Sequence, residues 1–190
     1  MNTQLFVTTI VTIFLAFAGY LFTYINNRRL SQRQEQLQRV NRQLSELYGP
    51  LFALSEASNQ VFEEFKQRYS RPGGASFFED STPPTETDLK EWRLWVTTIF
   101  MPKNRRLYDL ITSKADLLIE DFMPPSLLQF CAHVTGYELT LKRWEQGDFS
   151  EHLSIIPYPG PTLLNYARQS FDYLKHRQAQ LLGHREVRPG

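Results

Sequence analysis

Apolar residues run from Leu5 to Ile25 without one charged side chain, and Asn26, Asn27, Arg28 and Arg29 close the run. About 20 such residues in a helix cross a hydrocarbon core of roughly 30 Å, so the pattern predicts a transmembrane helix. A cleaved export signal is the rival reading, carried by Ala16-Phe17-Ala18 before Gly19. Against it, Met1-Asn2-Thr3-Gln4 has no basic side chain and the apolar run continues past Gly19 to Ile25, longer than the core of such a signal. The expectation is a retained signal-anchor.

Beyond the run, Leu30, Leu37, Leu44 and Leu51 repeat every seven residues, with Val40, Leu47 and Leu54 at the companion position. Arg33 spoils that second position in the turn nearest the span. This heptad seam predicts a helix that serves either a coiled-coil stalk between two copies or the first helix of the protein's own bundle. Gln34, Gln36, Asn41 and Gln43 beside it carry no pairing charges, which favours the second use. Gly49-Pro50 is expected to interrupt or kink this helix.

Four further helical stripes follow. Leu51, Leu54, Val61, Phe62, Phe65 and Tyr69 form one, ended by Arg71-Pro72-Gly73-Gly74. Asp88 with Glu91 reads as a capping box opening a helix with Leu89, Trp92, Val96, Ile99 and Phe100 on one face, bent at Pro102 before Leu107, Leu110, Ile111 and Leu118. Pro124-Pro125 starts another, with Leu127, Cys131, Val134, Leu141 and Trp144, which stops at Gly147. Ile155 to Pro161 is too rich in proline for a helix and reads as a stiff extended connector. The last helix runs from about Pro161 to Gly183, through Leu164, Ala167, Phe171, Leu174 and Leu181.

No segment alternates in the manner of a hairpin strand. The fold class is therefore all-α: an N-terminal transmembrane helix continuing into a stalk, then an antiparallel bundle of about four helices. The expected divisions are an anchor over 1–27, a basic helical stalk over 28–48, a bundle over 49–183 with a mobile Pro/Gly/Ser-rich loop at 70–87, and a disordered tail at 184–190. Within the loop, Phe77 and Phe78 are the only large apolar side chains, either an anchor tucked onto the bundle or a docking element.

Charge adds an orientation. The formal net charge is only +1, but Arg28, Arg29, Arg33, Arg39 and Arg42 all follow the span and no basic side chain precedes it. Basic residues stay on the cytoplasmic side, which places the N-terminus outside and the remaining chain in the cytoplasm. The same arginines are candidates for contact with anionic lipid. There is no extended basic face or nucleic-acid-binding signature, so nucleic acid is not an expected partner.

Candidate chemistry is sparse. The chain contains no phosphate-cradling glycine loop and no G-x-S-x-G nucleophile turn. No Glu stands three residues before a His, as di-iron bundles require. Asp116 with Glu120, and Asp148, Glu151 and His152, are ordinary surface clusters lacking the usual ligand set. Cys131 is the single cysteine and reads as a small buried hydrophobe. Neither cofactor, metal nor catalytic residue is expected.

Within the span, Thr8, Thr12 and Ala16 recur every four residues and Gly19 and Thr23 continue near that face. Small residues at this spacing let helices pack closely, although the threonine hydroxyls also have their own helix's carbonyls to bond. Two functional readings follow: an anchored adaptor whose bundle recruits a protein partner, or a subunit of a homo-oligomeric or heterologous membrane assembly working through its transmembrane helix. An enzyme with an unrecognised site is the weaker third.

Overall fold

The computed structural model describes residues 3–69, 77–78 and 83–183, with side chains from Val7 onward. Most of the expected mobile loop at 70–87 and the whole expected tail at 184–190 lie outside the described residues. Helices are α1 (Thr3–Arg42), α2 (Gly49–Arg68), α3 (Glu86–Trp95), α4 (Met101–Ser113), α5 (Pro125–Glu145) and α6 (Pro161–Leu182). Among the described residues there is no strand, and the all-α bundle following a long apolar helix is as the periodicity predicts.

Gly49-Pro50 does not break the helical path. A widened π-helical segment, Gln43–Tyr48, precedes it, and the Gly49 amide donates to the Leu44 carbonyl five residues back, while Arg42, Tyr48 and Gly49 all keep right-handed helical dihedrals. Proline lacks the amide for the carbonyl four residues earlier and its ring crowds that carbonyl. One extra residue in the preceding turn removes both conflicts. The same solution recurs at Pro102, where the π-helical segment Val96–Phe100 ends with the Met101 amide on the Val96 carbonyl.

The start of α3 also differs from expectation. Thr85, not Asp88, is the cap: its hydroxyl accepts from the Asp88 amide at 3.2 Å, and the Asp88 carboxylate accepts from the Thr85 amide at 2.8 Å. Asp88 is thus the returning half of the capping box. Glu91 has another task, accepting from the Tyr69 hydroxyl at 2.9 Å.

The described residues fall into two compact units, 3–41 with 177–183, and Arg42–His176. In the second unit, α2 packs on α4 and α4 on α5, around Tyr48, Leu51, Phe65, Met101, Leu107, Ile111, Leu127, Phe130 and Leu163, all removed from solvent. Phe65 is the hub of an aromatic nest. Tyr69, Phe77, Trp92, Trp95 and Phe100 place their ring centroids 4.8, 5.3, 5.4, 5.4 and 5.8 Å from it, distances at which edge and tilted ring pairs attract beyond simple burial.

Between α5 and α6 the chain runs as a non-helical strap over 148–160. Its backbone oxygens are held by side chains. Trp144 Nε1 donates to the Glu151 carbonyl at 2.8 Å, Trp92 Nε1 and the Tyr137 hydroxyl to that of His152 at 2.9 and 2.8 Å, and Thr140 to that of Leu153 at 3.2 Å. His133 Nδ1 and Gln129 Nε2 hold the carbonyls of Ile156 and Pro157. A segment without a ladder of its own can be seated on a helix only if such donors satisfy it. Gly136 permits the approach, since a Cβ there would stand 2.6 Å from Ser154 Oγ and 3.2 Å from Ile155 Cγ1.

Gly49→Ala is expected to destabilise the protein by about 1–3 kcal/mol, because the new methyl would lie 2.5 Å from the backbone oxygen of Leu44. Urea unfolding in mild detergent, followed by helical circular dichroism, measures it. An unchanged midpoint would mean that the π-helical turn relaxes without cost.

Candidate membrane anchor and interaction surfaces

The side chains from Val7 to Ile25 are all exposed, with Phe14 at 69% and Phe22 at 75%. This helix is long and apolar enough to cross a membrane. Its continuous apolar surface far exceeds the isolated exposed residues of an ordinary water-soluble domain. Thr12 donates to the Thr8 carbonyl and Thr23 to the Gly19 carbonyl, each at 2.9 Å. Those hydroxyls are therefore satisfied within α1, as a lipid environment requires. Ala16 lies on the exposed helix between them, and a Cβ on Gly19 would meet nothing within 4 Å, so that face is open within the chain. Toward the polar end Tyr20 and Tyr24 stack at 6.5 Å, in the position amphipathic rings take at a bilayer boundary.

The five arginines after the run separate into two groups. Arg33 donates through Nε to the Leu181 carbonyl at 2.6 Å, and Arg42 pairs with Glu46 at 3.2 Å, which also receives Lys114 at 2.8 Å. Among the described residues no hydrogen bond or ion pair holds Arg28, Arg29 or Arg39, and all three are exposed. The charge that spoils the heptad seam thus has a structural role: Leu181 belongs to the last turn of α6, whose carbonyls lack helical partners, and Arg33 supplies a donor to one of them.

That contact belongs to a clasp within the first unit. Arg177 Nη2 donates to Gln36 Oε1 at 3.3 Å and Gln178 Nε2 to Asn41 Oδ1 at 2.7 Å. Residues 177–183 thereby run antiparallel to 33–41, with Val40 and Leu181 buried. The polar pairs set residues 177–183 of the same chain beside this stretch.

Phe77 and Phe78 are half-buried on the aromatic nest. Their rings lie 5.3 and 5.1 Å from Phe65 and Trp92 respectively, and 5.0 Å from each other.

Other polar groups are engaged in structure. Tyr48, fully buried, accepts from the Ile119 amide at 3.0 Å and meets the Tyr166 hydroxyl at 3.1 Å, which donates to Glu120 at 3.0 Å. Burial raises both phenol pKa values, so the relay is a set of neutral hydroxyls ending on a carboxylate. Asp116 and Glu120 do not share a helix face, because α4 ends at Ser113 and the chain leaves a short 3-10 turn at Leu118. Burial pushes the half-buried Cys131 thiol above its ordinary range, the opposite of nucleophile activation. Among the described residues no group of three His, Cys, Asp or Glu side chains is placed to hold a metal ion.

The largest exposed apolar side chains of the second unit include several along α5 and the strap: Leu128, Leu139, Leu153, Tyr158 and Ile155, the last 71% exposed. Gln129 and Thr140 of α5 hold the strap at the Pro157 and Leu153 carbonyls. Sequence reasoning missed the exposed apolar side chains of the strap because their exposure depends on which helix receives it. Leu128 and Leu139, seven plus four residues apart on α5, are the exposed apolar pair that the sequence spacing could have shown. Known protein families, characterised proteins and solved structures contain no match to this chain.

The strap predicts a pH response. Burial holds the His133 imidazole below its usual pKa, outweighing the hydrogen bond to Ile156, and burial followed by the nearby Arg93 charge does the same to His152. Unfolding frees both to take up protons at the ordinary value of 6.5, so the unfolded state binds more protons below that pH. Stability present above pH 6.5 is expected to fall as the pH drops through it, by at most about 1.4 kcal/mol per pH unit for the buried His133 and by less for the more exposed His152, whose interactions water screens. Thermal unfolding between pH 8 and 5.5 should show the decline, and His133→Asn should flatten it. An equal slope in that variant would remove His133 from the account.

Proposed function

We propose that the protein is a single-pass, membrane-anchored adaptor whose helical bundle recruits a protein partner at the cytoplasmic face of the membrane. The observation that carries this reading is the uncovered apolar surface of α1 from Val7 to Ile25, followed by arginines that have no counterpart before it. The arginine asymmetry supports an outside N-terminus and a cytoplasmic bundle. Leu128, Leu139, Leu153 and Ile155, large apolar side chains left exposed on α5 and the strap, support recruitment. The polar networks around Tyr48 and His133 serve backbone groups and leave no poised nucleophile or acid-base pair in this reading.

A second reading, a membrane-assembly subunit acting through α1, draws on the open face at Gly19 beside Thr12, Ala16 and Thr23. The two separate in one experiment. Full-length protein is crosslinked in its own membrane, extracted gently and analysed by mass spectrometry, alongside a variant carrying Leu139→Glu and Ile155→Glu and one carrying Leu at positions 8, 12, 16 and 19. The adaptor reading expects a heterologous protein with the parent chain, retained by the span variant and reduced at least about tenfold by the double Glu variant, the loss from breaking a hot spot. Loss with the span variant alone would establish the second reading. Recovery of self-crosslinked copies only would overturn recruitment.

A further inference from the structure

Nη1 of Arg93 on α3 and Nδ1 of His152 on the strap are both sealed from solvent with no protein group as a partner, and the two side chains are close enough for their charges to interact. Arg93 is clamped on its other sides. Its side chain is only 12% exposed, Nη2 pairs with Glu86 Oε1 at 2.7 Å, and the guanidinium carbon lies 4.3 Å over the Phe149 ring. Trp92, the residue before it, donates to the His152 carbonyl at 2.9 Å. α3 therefore meets the strap at two adjacent points, one a hydrogen bond to residue 152 and the other a cation on the ring of residue 149.

A buried polar atom without a partner is costly, and more so when it carries charge. The half-buried His152 ring limits that cost while it is neutral. Its Nε2 is not sealed as Nδ1 is, so the single proton of the neutral ring rests on Nε2, and Nδ1 is left as a lone pair. A second proton has only Nδ1 to go to. It would create a buried N–H without an acceptor and a cation near the Arg93 guanidinium, which already holds one N–H in that condition. Glu86 of α3 and Glu151 of the strap oppose this with negative charge, and Tyr137 of α5 presents a neutral hydroxyl to the His152 carbonyl. Burial and then Arg93 outweigh the two acids and hold the ring's pKa below its ordinary value.

His133 is placed differently. Its Nδ1 donates to the Ile156 carbonyl at 2.7 Å, and an imidazolium makes the same bond, so that end of the strap keeps its holder. Trp144 likewise holds the Glu151 carbonyl from α5. The conflict that protonation creates is confined to the side of the strap that meets α3. We propose that His152 and Arg93 form a proton-operated latch: a second proton on the His152 ring parts strap residues 149–152 from α3 while α5 keeps its hold. Opening frees the Phe149 ring and releases the Trp92 indole N–H. The latch lies wholly within the second unit and stands whether or not α1 crosses a membrane.

The three tryptophans, Trp92, Trp95 and Trp144, supply the test. Full-length protein in mild detergent carries isotope-labelled tryptophan, and the three indole N–H resonances are assigned by replacing each residue with Phe in turn. Trp95 donates to the Tyr69 hydroxyl and not to the strap, so it reports on the fold. Between pH 8 and 5 the Trp92 resonance is expected to leave its hydrogen-bonded position as the pH falls below 6.5, with Trp95 and Trp144 unmoved. His152→Gln should hold Trp92 in place throughout, and so should Arg93→Gln, whose amide oxygen can accept from the protonated ring. His133→Asn should respond as the parent does. A Trp92 resonance that stays in place to pH 5 in the parent, or moves as far in His152→Gln, would overturn the latch. Equal movement in Arg93→Gln would overturn the part given to Arg93. Movement of all three resonances together would replace the latch with unfolding of the whole unit.

Discussion

Proline inside a helix removes one backbone donor and places a ring against a carbonyl, and this chain places Pro50 where the helical path has to continue. The accommodating turn, Gln43–Tyr48, turns Gln43, Leu44, Leu47 and Tyr48 inward. Gln43 then donates to the Leu117 carbonyl at 3.0 Å, and the Tyr48 hydroxyl receives the Ile119 amide while meeting Tyr166. The connection between α4 and α5 thus finds its backbone partners on the widened turn. A regular α-helix would present a different set of side chains there, because one added residue rotates everything beyond it by about 100°. The consequence of one missing amide is therefore felt in the packing of α6 through Tyr166.

The second unit is stabilised in two chemically distinct ways. Around Phe65 the interior is aromatic, with hydrogen bonds from the Tyr69 hydroxyl, which links Trp95 to Glu91, and from Trp92 to the His152 carbonyl at its edge. Along α5 the contact is the reverse, with side-chain donors on a helix serving the carbonyls of an irregular strap. Because the strap turns alternate residues outward, seating its backbone leaves Leu153 and Ile155 exposed. Structural necessity and a candidate recruitment surface thus arise from the same arrangement.

In the first unit the balance is between uncovered apolar surface and surface that meets protein. The apolar segment has no protein cover, and its threonines bond to their own carbonyls. Farther along, the same helix is clasped through Arg33, Gln36 and Asn41. The arginines divide by depth and by engagement: those nearest the apolar run are free, and Arg33 completes a helix end.

Local patterning made the helices legible. Apolar spacing, the proline at the start of α5 and the left-handed glycines at 147 and 183, with φ of 79° and 78°, are properties of a few neighbouring residues, and they located α1, α2, α4, α5 and α6. The apolar run and its flanking arginines were equally local, and so was the absence of recognised catalytic motifs. The helix start at Thr85 and the π-helical turns before both prolines also rest on groups three to five residues apart, and they were missed because apolar spacing does not report which of several nearby polar groups closes a turn. The seating of the strap and the use of Arg33 were decided only by the tertiary structure. Each of these two is a question of which distant group satisfies a backbone carbonyl, and a sequence read along its length carries periodicity but not the identity of that partner.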